Sequence, residues 1–547
     1  MTRSVALRAW QADALTRFAD ARPTNFMAVA CPGAGKTTFA LAAVRQRLAG
    51  ELRPIVVVVP TQHLKAQWAA AALAFGLHLD PDWSAASGRI AKDMHGIVVT
   101  YAQAASSAGV LRRLSTGGVV VLDEIHHAAN ERSWGDGVRV AFAECWCRLL
   151  LSGTPFRTDD SAIPFVEYSF GDYGDAMPDY EYGYGEALEE GGVVRPVFFP
   201  RFDGHMEWLN SEGEEMSGTF DDELVKGEWG ARLRTALSVD GEWLATVIDH
   251  AHGRLTEIRE THPDAGGLVI ATDHEHARGI ANLLEKRWGV TARIALSDDP
   301  KASSVIDQFS TGTDQWIVAV RMISEGVDIP RLRVGVFATT TTTAMFFRQA
   351  VGRIARWSPG LRSQRAYMYL PDDPRLRTHA AGIAMQRRHS IEVRRRREED
   401  GVGASLDDLS RPTRDEEQMS LFAALSSSVL TASPPTDGID PNEDVLAGGG
   451  DLAGHLVDLP PPPPLAGVLA GTPDGLGAIR TRKQEKESLR TRNADRVRAL
   501  VNLTGQPHAS INSELNRLAG IARIIDATVP QLEKRLHKAD AWLTKIS

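Results

Sequence analysis

The sequence predicts an α/β protein with two open parallel-sheet domains. Three observations carry that prediction. Two blocks show short β-branched runs alternating with helical patterns, at 26–30, 55–59, 97–100, 119–122 and 148–151, then at 267–271, 292–296, 316–320, 334–338 and 366–370. Chemically distinctive motifs sit at the carboxyl ends of these runs, where open α/β sheets bind ligands. Acidic and Pro/Gly-rich stretches separate the blocks from each other and from a helical C-terminus.

The elements divide 1–160 as the first domain, 161–260 as an acidic connector or insertion with helical material, and 261–397 as the second domain. A flexible, acidic, Pro/Gly-rich linker is expected over 398–476, because few apolar residues are available there to offset ordering entropy. A helical module follows over 477–547, in which Thr528 is a candidate N-cap and Leu532, Leu536 and Trp542 share one side. A chain of 547 residues accommodates these domains, and 43% hydrophobic with 24% charged residues excludes disorder throughout.

Cys31, Cys145 and Cys147 cannot build a disulfide framework or a four-ligand zinc site, and read as buried thiols. The start has no charged head followed by an apolar run, and no stretch approaches the ~20 residues that span a bilayer. A soluble, cytoplasmic protein without a membrane partner is expected.

The run Ala30-Cys31-Pro32-Gly33-Ala34-Gly35-Lys36-Thr37-Thr38 follows a strand and opens an alanine-rich helix. That setting makes a P-loop: small residues let backbone N–H groups approach phosphates, Lys36 reaches the terminal phosphates, and Thr37 holds magnesium. Ala30 departs from the strict pattern, which has glycine there. Downstream, an apolar strand ends in Asp123-Glu124. Asp123 is placed to hold the hydrated magnesium ion and Glu124 to polarise the attacking water. His126 and His127 lack an evident third ligand for any other metal.

The order of motifs over about 5–370 resembles a superfamily 2 helicase or translocase, which implies two tandem RecA-like domains and ATP with Mg2+ as cofactors. Leu7-Arg8-Ala9-Trp10-Gln11 looks like the element whose glutamine, here Gln11, reads adenine. Asp123-Glu124-Ile125-His126 looks like a DEAH-type second motif, and Ser152-Gly153-Thr154-Pro155 like the third, so that His126, Ser152 and Thr154 would couple nucleotide state to domain closure. Pro60-Thr61 and Thr100-Tyr101 resemble strand-contacting motifs. In the second block, Thr272 belongs to the likeness of the fourth motif. Ser324, Gly326 and Asp328 belong to the fifth, where Ser324 would touch the strand and the other two the nucleotide. Gln349, Arg353 and Arg356 belong to the sixth, with Gln349 near the attacking water, Arg353 on the γ-phosphate and Arg356 as arginine finger.

The wording of the motifs resembles the DNA-directed branch that holds restriction-enzyme motor subunits and phage or repair helicases. DNA is therefore the expected polymer, with an RNA helicase or an ATP-gated scaffold in a repair or defence complex as the alternatives. Arg387-Arg388-His389 and 394–397 are candidate phosphate contacts, as are the bases of 480–498, although the helical module could instead dock a protein partner. The formal charge of −9 argues against bulk attraction to nucleic acid. Its distribution argues the other way. Residues 157–226 hold 18 acids against 4 bases and residues 398–460 hold 14 against 2, which leaves the rest of the chain net basic.

Overall fold

The computed structural model describes residues 3–129, 132–153, 162–170, 173–209, 215–222, 229–296, 302–320, 329–358, 360–361, 364–400, 455–465, 482–522, 524 and 527–546. Two units emerge, one from Met1–Val29, Gly35–Glu181 and Gly454–Ser547, the other from Ala30–Ala34 and Tyr182–Ala453. Each carries a RecA-like sheet.

In the first unit the seven strands run in the order Tyr180–Tyr182, Asn25–Ala30, Cys147–Ser152, Val119–Leu122, Ile55–Val59, Gly96–Thr100 and Leu79–Asp80. From Asn25–Ala30 to Leu79–Asp80 every pairing is parallel. Ile55–Val59 is buried at all five positions, as a strand covered on both faces must be, which is why it reads as a continuous apolar run. Val56, Val58, Val120, Leu122 and Leu150 pack with Tyr101 and Phe142 in the core on one side of this sheet.

The second unit's sheet is parallel through Val197–Phe198, Ala366–Pro371, Leu332–Ala338, Gly266–Ala271, Trp316–Val320 and Arg293–Ala295, with Arg201–Phe202 also laid beside Ala366–Pro371. The two strands nearest the N-terminus and the helix Glu242–Thr261 all come from the stretch expected as connector. Leu244, Ile248 and Leu255 of that helix are buried with Val269, Trp316 and Val336. The second domain thus begins near Tyr182 rather than at 261. Arg195 fixes the new boundary. Fully buried, it donates to the carbonyls of Leu332 (3.2 Å) and Pro330 (2.7 Å) and to Ser358 Oγ (3.1 Å).

The linker expectation also needs correction. Helix Pro374–Asp400 runs past its expected end, and His455–Leu459 forms a strand antiparallel to Arg3–Leu7, with Val457 opposite Val5. The proline run that follows is engaged as well: Arg45 donates to the Pro460 carbonyl, and His95 Nε2 lies 2.8 Å from the Pro463 carbonyl. Composition could not reveal this, because the partners of these residues lie about 400 positions away. The remaining linker positions lie outside the described residues.

Helices Arg482–Thr504, His508–Ala519 and Val529–Ile546 form the C-terminal module. Thr528 caps the last of them: its N–H donates to Gln531 Oε1 at 3.0 Å and its Oγ1 accepts from the Gln531 N–H at 3.4 Å. Lys486, a candidate phosphate contact, instead meets the fully buried Asp93 of the first domain at 3.0 Å. The Val529 N–H also points to Asp93 Oδ2, at 3.4 Å.

Candidate functional site

The carboxyl edge of the first sheet gathers the residues singled out around the P-loop and the acidic pair. Gly33 and Gly35 have φ of +85° and +92°, which only glycine adopts without strain, and Gly35 opens helix Lys36–Leu48. A Cβ on Gly35 would stand 2.6 Å from Gln11 Nε2, so the close approach also demands glycine. Gln11 itself is buried. Its Nε2 donates to the Gly35 carbonyl at 2.9 Å, and its Oε1 accepts from the Arg8 N–H at 2.9 Å. Ala34 is buried, with its N–H on the Cys31 carbonyl, while Thr37 and Thr38 lie half-buried in the first helical turn.

Asp123 and Glu124 follow strand Val119–Leu122. Glu124 has φ of +49°, a left-handed conformation that costs a non-glycine residue about 1 kcal/mol or more. Three partners hold it there. Lys36 Nζ is 3.2 Å from Oε1, the Gly153 N–H donates to Oε2 at 3.0 Å, and His126 Nδ1 lies 3.6 Å from the same oxygen. Burial alone would raise the Glu124 carboxyl, but Lys36 and then His126 more than offset it and bring it down to about 2. Its neighbour goes the other way: burial, then the charge on Glu124, lifts Asp123 to about 6. Glu124 is therefore an ionised carboxylate paired with Lys36, and Asp123 is a carboxylate whose charge a cation would favour.

His126 Nδ1 is also 3.0 Å from Ser152 Oγ, with both side chains buried, so the expected second and third motifs do meet. Thr154 lies outside the described residues. Pro60 and Thr61 stand half-buried after strand Ile55–Val59, and Thr61 is the N-cap residue of helix Gln62–Ala74. Thr100 and Tyr101 need correction as strand contacts. The Thr100 hydroxyl accepts the Gln103 N–H as a helix cap, and Tyr101, fully buried, donates its hydroxyl to the Asp123 carbonyl at 2.9 Å. Burial and then the two acids push the Tyr101 phenol well up, so it keeps the proton it donates.

In the second unit Thr272 follows strand Gly266–Ala271, half-buried, beside Asp273, whose side chain caps helix His274–Trp288. Gln349 and Arg353 are buried one turn apart on helix Ala344–Ile354, and Arg356 follows the helix end, bridged to Val194. Ser324, Gly326 and Asp328 lie outside the described residues. Arg387 is not a phosphate contact: it is buried over the Phe198 ring and donates to the Val197 carbonyl.

Sequence reasoning missed Trp68. Its indole N–H donates to Asp123 Oδ2 at 2.8 Å, with both groups buried. Nothing local marks an apolar residue in a helix as a partner for an acid 55 positions away. The cysteines are buried and free, and burial lifts Cys147 to about 11.

The residues fit ATP with magnesium. The glycine turn, Lys36 and the helix N-terminus suit phosphates, and Asp123 with Thr37 suits a cation that shares its shell with phosphate and water. No group of three or more His, Cys, Asp or Glu that could hold a metal occurs among the described residues, and such a shared site does not require one.

A P-loop and an acidic pair on one parallel sheet, with a second such sheet along the chain, define a two-domain P-loop protein of the RecA-like class. Residues 4–157 match the model of the type III restriction enzyme res subunit, and residues 252–358 that of the helicase conserved C-terminal domain. The Mycobacterium leprae protein ML1624, described as uncharacterized, is 38% identical over 97% of this chain and 93% of its own length. The uncharacterized Mycobacterium tuberculosis protein Rv2917 is 45% identical over 70% of this chain and 64% of its own. A Halobacterium salinarum protein described as a putative DNA 3'-5' helicase Rad25 is 25% identical over 61% of this chain and 49% of its own. The chain belongs to the superfamily 2 helicase-like proteins related to restriction-enzyme motor subunits. Its helicase-family domains imply an ATP-hydrolysing helicase or translocase that binds nucleic acid. No helix among the described residues is long and apolar enough to cross a membrane.

Proposed function

We propose that this chain is an ATP-driven DNA motor that couples hydrolysis to movement along a strand. The observation that carries the reading is the Lys36, Glu124, Gly153, His126 and Ser152 network, which joins the P-loop to the second and third motifs at one sheet edge. Lys36 binds the terminal phosphates, Gln11 reads adenine, and Glu124 takes the proton of the attacking water. Thr37 and Asp123 hold magnesium, which supplies charge neutralisation at the phosphates when bound. Gln349, Arg353 and Arg356 are the second domain's contribution, with Arg356 as the arginine finger. Pro60, Thr61 and Thr272 serve the strand. DNA is favoured over RNA by the restriction-enzyme family model and by the relative described as a DNA helicase.

ATP turnover measured with single-stranded DNA, duplex DNA and RNA tests the polymer, and strand displacement on tailed duplexes separates unwinding from translocation. DNA should stimulate most. Stimulation by RNA alone would overturn the DNA reading. Arg356→Ala should lower DNA-stimulated turnover by roughly 10³-fold or more while ATP binding survives.

A further inference from the structure

Helix Gln62–Ala74 begins at Thr61, in the segment read above as touching the strand, and two turns later it presents Trp68 to Asp123. At 1.5 Å per residue the two ends of this link are roughly 10 Å apart along a rigid element. Trp68 is 2% exposed, and Asp123 is buried at its carboxylate. The indole could fill this space as an apolar plug, yet its one polar atom is aimed at Oδ2. That bond holds one carboxylate oxygen and so orients the other. A second bond supports the same residue from the neighbouring strand end, where the Tyr101 hydroxyl reaches the Asp123 carbonyl. The two supports are themselves joined: Lys65, buried on the same helix, donates to Gln103 Oε1 at 3.1 Å, and that oxygen also accepts the Thr100 N–H at 3.0 Å.

We infer that Trp68 is a positioning residue through which strand occupancy at Pro60-Thr61 sets the orientation of the Asp123 carboxylate. The inference rests on the proposed reading of Asp123 as the magnesium ligand and of Pro60-Thr61 as a strand contact. A strand held at the helix N-terminus shifts the helix as a body, and the indole carries that shift to the carboxylate. Residues that orient a metal ligand typically change metal affinity or activity by 10–100-fold when removed.

The test compares the full-length wild-type chain with Trp68→Phe, which keeps a ring in the space and removes the donor. ATP turnover is followed across Mg2+ concentration with and without single-stranded oligo(dT). The Mg2+ midpoint should rise about tenfold, and the ratio of stimulated to basal turnover should fall several-fold. Binding of a fluorescent ATP analogue without metal and binding of oligo(dT) should stay within about twofold. Tyr101→Phe should move the same two readouts in the same direction, and carries the test if Trp68→Phe fails to fold. An equal loss of turnover with and without oligo(dT), at an unchanged Mg2+ midpoint, would reduce Trp68 to a packing residue and overturn the inference. Wild-type turnover indifferent to every nucleic acid would instead overturn the underlying functional reading, and the inference with it.

Discussion

Buried charge is handled in two ways, the first at Glu124 and Asp93 and the second around strand Leu332–Ala338. In the first, acids meet cations: Glu124 faces Lys36 at 3.2 Å, and Asp93 faces Lys486 at 3.0 Å. In the second, guanidinium groups sink among carbonyl oxygens. Arg195 bonds those of Leu332 and Pro330, Arg331 those of Phe309, Asp264 and Asp314, and Arg333 that of Arg365. Burial lowers Arg331 and Arg333 to about 10, which leaves them charged at neutral pH. Carbonyls do not titrate or leave, so these arginines fix the path of the chain. A carboxylate beside an ammonium group responds to a new ligand, a proton or a lost partner. The first arrangement suits a site and a docking joint, and the second suits a clip.

Removing one side of each arrangement separates them. The largest effect is expected at the docking joint. Lys486→Met leaves the Asp93 charge buried without its cation, and should destabilise the fold by roughly 3–5 kcal/mol in denaturant unfolding. Adding Asp93→Asn should recover most of that loss; a double variant as unstable as the single one would show that packing, not charge, holds the module. Next comes Arg195→Met, which strips the Leu332 carbonyl of a buried donor and should cost about 1–3 kcal/mol. A variant as stable as the wild type would mean that the carbonyls find other donors once Arg195 is gone.

The smallest effect concerns Asp123. Its folded value, about 6, lies above the ordinary carboxylate range because of burial and then Glu124. On the proposed role of Asp123 the ionised form would hold Mg2+, so turnover should be present above about 6 and fall as the pH drops through it. Stability runs oppositely for this group: its neutral form suits the fold, and that contribution fades as pH rises from the ordinary carboxylate value towards 6. Turnover at sub-saturating Mg2+ should drop several-fold between pH 7 and pH 5.5, and excess Mg2+ should move the limb lower. An acid limb indifferent to Mg2+ would assign it to another group.

Much of the fold was legible because parallel strands buried on both faces read as apolar runs, and every run expected in the two blocks is a strand. The P-loop and acidic pair were legible because their chemistry needs fixed residue types at short spacing. Tyr101 was misread because its motif position, not its surroundings, suggested a strand contact. Arg387 and Lys486 were misread because a basic residue's sequence neighbours do not reveal whether it faces water or a buried carbonyl or acid.

Sequence alone therefore determined the sheet class, the order of motifs and which residues gather at the carboxyl edge of the first sheet, since each depends on local periodicity or on side chains close along the chain. Tertiary structure decided the rest: that Trp68 holds Asp123, that 182–202 belongs to the second domain, and that His455–Leu459 returns to pair with Arg3–Leu7. Each of these turns on one hydrogen bond or one strand pairing across tens to hundreds of residues. Such contacts depend on how apolar burial arranges the whole chain, and no short window of sequence contains both partners.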